Sequence, residues 1–346
     1  MNVLFIGNSH IRYNSLVSTV ERFGGIKATA IIENGATFET HYNNANTRAA
    51  ITNGPGGGKP WDWVVLQPNS LEPVLVYPGG EGTPNVNKAN FIEYGVLLAN
   101  LATNGKYGPS KTLLFQVAPK GSPWNGTTAL TTAFSVSWYS FDFDDVGANP
   151  PDMQRLMVAS FKELRDDPAL ERKDLAWICP IGEAWLRSGL PESFLWSRSE
   201  LATVSGTSLY RSDWNHPSPV GSYAMALTLW RWMTRRNTLC LPPVTGQQAD
   251  RQPDYGAGQL GLTVTHPIAR QLQCVVDGLP VLATGFRCPV SLATCAGKPA
   301  ACRGYRTTCP PPETEEERNG RRRQERGAGL LLRTSGDGFT EKQFLD

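Results

Sequence analysis

Val3-Leu4-Phe5-Ile6-Gly7-Asn8-Ser9-His10-Ile11 joins an unbroken apolar run to a polar turn that carries a serine. An apolar run of strand length marks a strand covered on both faces, the condition of an inner strand in a parallel sheet. Open α/β sheets present ligands at the carboxyl ends of such strands. A serine placed just beyond Gly7 therefore stands where a nucleophile can be used.

Working outward, the first strand is read as Asn2 to Ile6, and four further runs have strand character: Ile26 to Ile32, Asp62 to Gln67, Thr112 to Ala118 and Leu175 to Ile181. Between and after them, Tyr13 to Phe23, Ala89 to Leu101, Asp152 to Arg165 and Val220 to Thr234 repeat apolar residues every three or four positions, and a final helix is read over Pro267 to Asp277. Alternation of strand and helix predicts an α/β chain: a three-layer α/β/α sandwich with a five-stranded parallel sheet, right-handed crossovers and flavodoxin-like order. Two stretches break the alternation and read as loops, the Gly- and Pro-rich Thr52 to Pro60 and the aromatic Pro119 to Pro151. The second follows the fourth strand, at the same edge as Ser9, so Trp124 and its aromatic neighbours are candidates for a substrate wall.

The chain has 346 residues, 40% of them apolar, enough for one large core. Its 33 basic and 31 acidic side chains nearly cancel, which argues against nucleic acid or an anionic membrane as partner. No run of 18 apolar residues predicts an integral membrane segment. Met1 stands one residue before the first strand, so the chain as written reads as cytoplasmic, or as secreted if an upstream leader precedes it. The residues divide into 1–278, with the α/β pattern, and 279–346, a Cys- and Pro-containing and then charged tail expected to be disordered. Cys274, Cys288, Cys295, Cys302 and Cys309 lack the paired spacing of a zinc site, so no metal is expected.

The chemistry needs a second partner for Ser9. Asp213-Trp214-Asn215-His216, followed by Pro217, sets a carboxylate three residues from an imidazole, close enough for the acid to hold the ring. A lone serine after a strand is more often a helix cap, and a lone Asp-x-x-His more often a turn. Taken together they point to a Ser-His-Asp hydrolase, with Ser9 attacking, His216 acting as general base and then acid, and Asp213 fixing the ring tautomer.

Four blocks, in order, then resemble the SGNH hydrolases, the GDSL esterase and lipase superfamily, and within it a poorly characterised bacterial and fungal branch. They are Gly7-Asn8-Ser9, with Asn8 where many members have Asp; Glu33 to Thr37, containing Gly35; Val64 to Ser70, containing Asn69; and Ser212 to Gly221, containing Asp213 and His216. The resemblance spans residues 1 to about 277. It implies an acyl-serine mechanism with no metal or organic cofactor, and an oxyanion hole of the Ser9 and Gly35 N–H groups with a side-chain amide. Either Gln67 or Asn69 could supply that amide, and block order favours Asn69. His10, Gln67, Trp124 and Trp214 are candidate substrate contacts. The implied substrate is a small-molecule or carbohydrate ester, with acetyl or another short acyl group on a sugar preferred over a lipid. A non-catalytic carbohydrate-binding relative and an acyltransferase on the same scaffold are the alternatives. A nucleotide-binding flavodoxin-like protein is disfavoured, because the first loop lacks a phosphate cradle. Oligomeric state is not encoded in these patterns.

Overall fold

Apolar residues on both sides of β1 (Asn2–Gly7) require a cover on each face, and the computed structural model supplies two helical layers. It describes residues 1–74, 87–118, 150–186, 188, 209, 216–239, 241–243, 264, 266–277 and 279. All of these fall within the first of two compact units, Met1–Gly297; the second, Lys298–Asp346, lies outside the described residues, as does nearly all of the expected tail 279–346.

Strand β1 pairs with β2 (Lys27–Ile32) on one side and β3 (Trp63–Leu66) on the other, followed by β4 (Lys111–Phe115) and β5 (Ala176–Cys179). All pairings are parallel, and the order β2-β1-β3-β4-β5 is the flavodoxin-like order expected from the alternation. The chain reverses its direction of travel across the sheet between β1 and β3, so the loops leaving these two strands face each other over a crevice at the carboxyl edge.

Alternate residues divide the core. Val3 and Phe5 of β1, Trp63 and Val65 of β3, and Leu113 and Phe115 of β4 face α2 (Leu16–Arg22), α7 (Ile181–Leu186), α8 (Pro219–Thr234) and α9 (His266–Asp277). Leu4, Ile6, Val64, Leu66 and Leu114 face α3 (Phe38–Asn43), α4 (Ala45–Asn53), α5 (Lys88–Thr103) and the later turns of α6 (Pro150–Asp166). Burying one such side chain removes it from water at a gain of about 1.5–3 kcal/mol. Helix α8 lies between α2, α7 and α9, which is why its apolar residues surround it instead of forming a stripe. Ser218 caps its start by accepting from Gly221 N–H, and Pro219 occupies the first turn, where its missing donor costs nothing. The buried Arg231–Asp277 pair, 2.7 Å apart, ties α8 to the end of α9.

Three local expectations are corrected. The helix read over Tyr13 to Phe23 begins only at Leu16: Ser9–Arg12 forms a short α1, a single 3₁₀ turn follows, and Asn14 (φ 54°) and Ser15 (φ 51°) are both left-handed. Two successive non-glycine residues in this region cost roughly 1–3 kcal/mol each, although Asn tolerates it better than most. Residues 38–53, to which periodicity assigned no helix, form α3 and α4, because caps start them where apolar spacing is weak: Thr37 and Thr40 make a reciprocal capping box, and Asn44 accepts from Asn46 and Thr47 N–H. The loop expected from Thr52 therefore begins at Gly54 (φ 66°), where a Cβ would lie 2.1 Å from the Lys59 carbonyl oxygen.

Candidate active site

The β1 strand stops at Gly7 because Asn8 turns the chain into α1. Asn8 is the N-cap: its Oδ1 accepts from His10 N–H at 3.3 Å. Its two amide hydrogens go elsewhere, to the carbonyls of Ala36 and Pro68, both at 3.1 Å. The loops after β1, β2 and β3 are thus stitched together by one side chain. An aspartate here could cap the helix but could donate neither bond, which gives the departure from Asp at this position a physical reason.

Gln67, at the end of β3, completes the stitch. Fully buried, its Oε1 accepts from Asn8 N–H at 2.8 Å and its Nε2 donates to the Pro68 carbonyl. The sequence left Gln67 open as a substrate contact or oxyanion donor; in the fold the side chain is fully buried, with its Oε1 and one Nε2 hydrogen engaged within the protein, so it braces β1 against β3. A Cβ at Gly7 would lie 2.5 Å from Gln67 Oε1 and 2.6 Å from Ile11 Cδ1, so the close approach of β1 to β3 needs glycine there.

Ser9 is the first residue of α1, partly exposed, and its backbone N–H has no carbonyl one turn back to bond. Its Oγ lies 2.9 Å from Nε2 of His216, although 207 residues separate them. The His216 ring is flanked by Tyr13, with ring centres 4.4 Å apart, and by His10 at 5.2 Å. His10 is only 4% exposed, so its position fits packing against His216 better than contact with a substrate. Asp213, Trp124 and Trp214 lie outside the described residues.

In the loop after β2, Gly35 stands exposed with φ 71° and nothing within 4 Å of where a Cβ would be. Asn69 reaches it: Nδ2 donates to the Gly35 carbonyl at 3.1 Å, and Oδ1 accepts from Leu71 N–H at 3.1 Å. One of the two Nδ2 hydrogens is thereby used, and the amide orientation is fixed from both ends.

Two buried titratable groups beneath these loops had no signal in the sequence. His41 of α3, fully buried, lies with Nε2 3.0 Å from the Gly7 carbonyl. Burial pushes its pKa below the ordinary imidazole value, and since a carbonyl can only accept, the neutral ring donates Nε2–H. Glu72 is also fully buried; its carboxyl accepts from Phe38 N–H at 3.1 and 3.3 Å and from Asn69 N–H at 3.0 Å. It joins the start of α3 to the Asn69 turn. Burial pushes its pKa up to about 8, opposed by the Asn69 and Phe38 N–H groups and reinforced by the charge of Glu39. A Glu followed by Pro in a turn reads as surface from sequence; only desolvation, a tertiary property, marks this one.

The linkage has a definite sign. Between the ordinary value of 4.5 and about 8 the folded chain holds a proton that the unfolded chain has released, so this group's contribution to stability falls as pH rises through that window and levels off above it. The Tm of Glu72→Gln minus that of the wild type should therefore increase from pH 5 to pH 8. A difference independent of pH, by calorimetry, would mean that Glu72 titrates normally.

No described helix is long and apolar enough to cross a membrane. No protein-family model matches this sequence, nor does any curated protein. Solved structures similar to the chain include a provisionally assigned SGNH hydrolase from Slackia heliotrinireducens, 20% identical, covering 67% of this chain and 98% of that one with a TM-score of 0.45. A DUF4886 family protein from Bacteroides uniformis is 16% identical, with coverage of 80% and 93% and a TM-score of 0.49. A carbohydrate esterase family 2 enzyme with its carbohydrate-binding domain, from Corynascus thermopiles (Myceliophthora fergusii), is 12% identical, with coverage of 68% and 65% and a TM-score of 0.36. At these levels the likeness is one of fold, and no residue's role passes from those proteins to this chain.

Proposed function

We propose that this chain is an SGNH-type serine hydrolase that cleaves a carboxylic ester through an acyl-enzyme. The observation that carries the reading is the 2.9 Å approach of Ser9 Oγ to His216 Nε2 at the carboxyl edge of a parallel sheet. Hydroxyl and imidazole at this distance form the nucleophile–base pair that acyl transfer requires. Ser9 Oγ attacks the ester carbonyl as its proton passes to His216 Nε2. The tetrahedral oxyanion is received by the N–H groups of Ser9 and Gly35 and by Asn69 Nδ2. Collapse breaks the ester C–O bond, His216 returns the proton to the leaving alkoxide, and water repeats the sequence to free the acid. Asp213 takes the ring-orienting role from its spacing in the sequence.

The substrate is proposed to be a short acyl ester, such as acetyl on a sugar; the aromatic residues that follow β4 in the sequence suit either that or a longer lipid-like ester. Residues 1–278 are taken as the catalytic domain, with 279–346 as an appended tail. A fluorophosphonate probe tests the chemistry without knowledge of the substrate. Peptide mapping should find one adduct, on Ser9, that His216→Ala abolishes; an adduct elsewhere, or none, would remove Ser9 as the nucleophile. Hydrolysis of p-nitrophenyl acetate, butyrate and decanoate then ranks short against long acyl chains. Product analysis with a sugar acceptor separates hydrolysis from acyl transfer.

A further inference from the structure

The break in the helix after Ser9 has a structural purpose. A continuous helix from Tyr13 would satisfy the apolar spacing of this segment, yet Asn14 and Ser15 leave it for the left-handed region. What the turn gains is the aim of one side chain. Asn14 Nδ2 donates to the Pro217 carbonyl at 2.8 Å and to Ser222 Oγ at 2.8 Å. Pro217 directly follows His216, and Ser222 lies in the first turn of α8. The neighbouring Tyr13 packs its ring 4.4 Å from the His216 ring, inclined at 49°. Two successive residues thus contact the imidazole ring and the carbonyl of the residue that follows it, and both belong to the segment that begins with Ser9.

The donor count is specific. The bonds to Pro217 and Ser222 use both hydrogens of a primary amide, which an aspartate of the same shape lacks and a glycine of the same backbone preference does not carry. Residue 14 therefore has two separable properties, tolerance of a left-handed backbone and a pair of N–H donors, and only the second reaches the base.

We propose that Asn14 is a positioning residue that sets His216 relative to Ser9 by clamping the Pro217 carbonyl and the first turn of α8. The inference rests on the reading of Ser9 and His216 as nucleophile and base. It acts through alignment, since misplacing a catalytic group by about an ångström typically costs up to a hundredfold in rate.

Asn14→Gly, Asn14→Ala and the wild type separate the two properties. Glycine keeps the left-handed turn and loses the donors; alanine loses both. If Asn14 serves only the turn, Asn14→Gly matches the wild type in Tm and kcat and only Asn14→Ala falls. Under the proposal, both variants lose roughly ten- to a hundredfold in kcat with KM for p-nitrophenyl acetate unchanged, while their Tm values differ from each other. The His216 ring ¹⁵N resonances give a readout independent of turnover: Asn14→Gly should shift them in the same direction as Ser9→Ala does. Wild-type kcat together with wild-type His216 resonances in Asn14→Gly would overturn the proposal. Absence of any Ser9-dependent hydrolysis in the wild type would instead sink the esterase reading, and the resonances alone would still decide whether Asn14 positions His216.

Discussion

Ser9→Ala, His216→Ala and the double variant are expected to lose the same factor in ester turnover, on the order of 10⁴- to 10⁶-fold in kcat. The two side chains act as one unit: an imidazole 2.9 Å from Oγ has no proton to take when the hydroxyl is gone, and the hydroxyl is a poor nucleophile when the imidazole is gone. Removing the second partner after the first therefore costs nothing more. Stability should move little in Ser9→Ala, since a partly exposed hydroxyl gives up one hydrogen bond, worth about 1 kcal/mol. The measurement is a double-mutant cycle on p-nitrophenyl acetate with Tm recorded beside kcat. Losses that multiply would show two independent effects and break the proposed pair.

The second large effect is expected at Asn69. If Nδ2 receives the oxyanion, Asn69→Ala lowers kcat about a hundredfold to a thousandfold and leaves KM nearly unchanged, because the donor is needed only once the carbonyl oxygen becomes charged. The same truncation removes the bonds to the Gly35 carbonyl and the Leu71 N–H, so Tm should also fall, by an amount corresponding to about 1–3 kcal/mol for two hydrogen bonds. Asn69→Asp removes the donor and keeps the acceptor, and kcat read against Tm distinguishes the two roles. The substitution preserves volume and the acceptor for Leu71, but offers no donor to Gly35 or to an oxyanion. A fall in Tm with kcat intact, measured well below the transition, would leave Asn69 as a stitch between loops and take it out of the oxyanion hole.

Much of the frame was legible in the chain because burial on both faces writes itself into strands as unbroken apolar runs, and helices betray a covered side by spacing. The five strands appear within one to three residues of their expected ends, and α5, α6, α8 and α9 within two. Where the reading failed, the cause was local hydrogen bonding that apolar pattern does not register. Thr37 and Asn44 start helices by their side chains, and Asn14 and Ser15 end one by adopting conformations that their neighbours do not forecast. Gln67 looked available from sequence because a glutamine at a strand end is ordinarily solvated; in the fold it is sealed between β1 and β3 with both ends of its amide engaged.

The sequence by itself determined the five strands, the helices α5, α6, α8 and α9, and the placing of Ser9 just beyond an inner strand, since each depends on residues within a turn or two of one another. Tertiary structure alone decided that Ser9 meets His216 across 207 residues, that Glu72 is a buried brace with a raised pKa, and that Asn14 reaches the Pro217 carbonyl. Those outcomes depend on which strands become neighbours, how α8 docks on the sheet and how much water is excluded between loops. Distance and desolvation are properties of the packed chain, and no local window of sequence carries them.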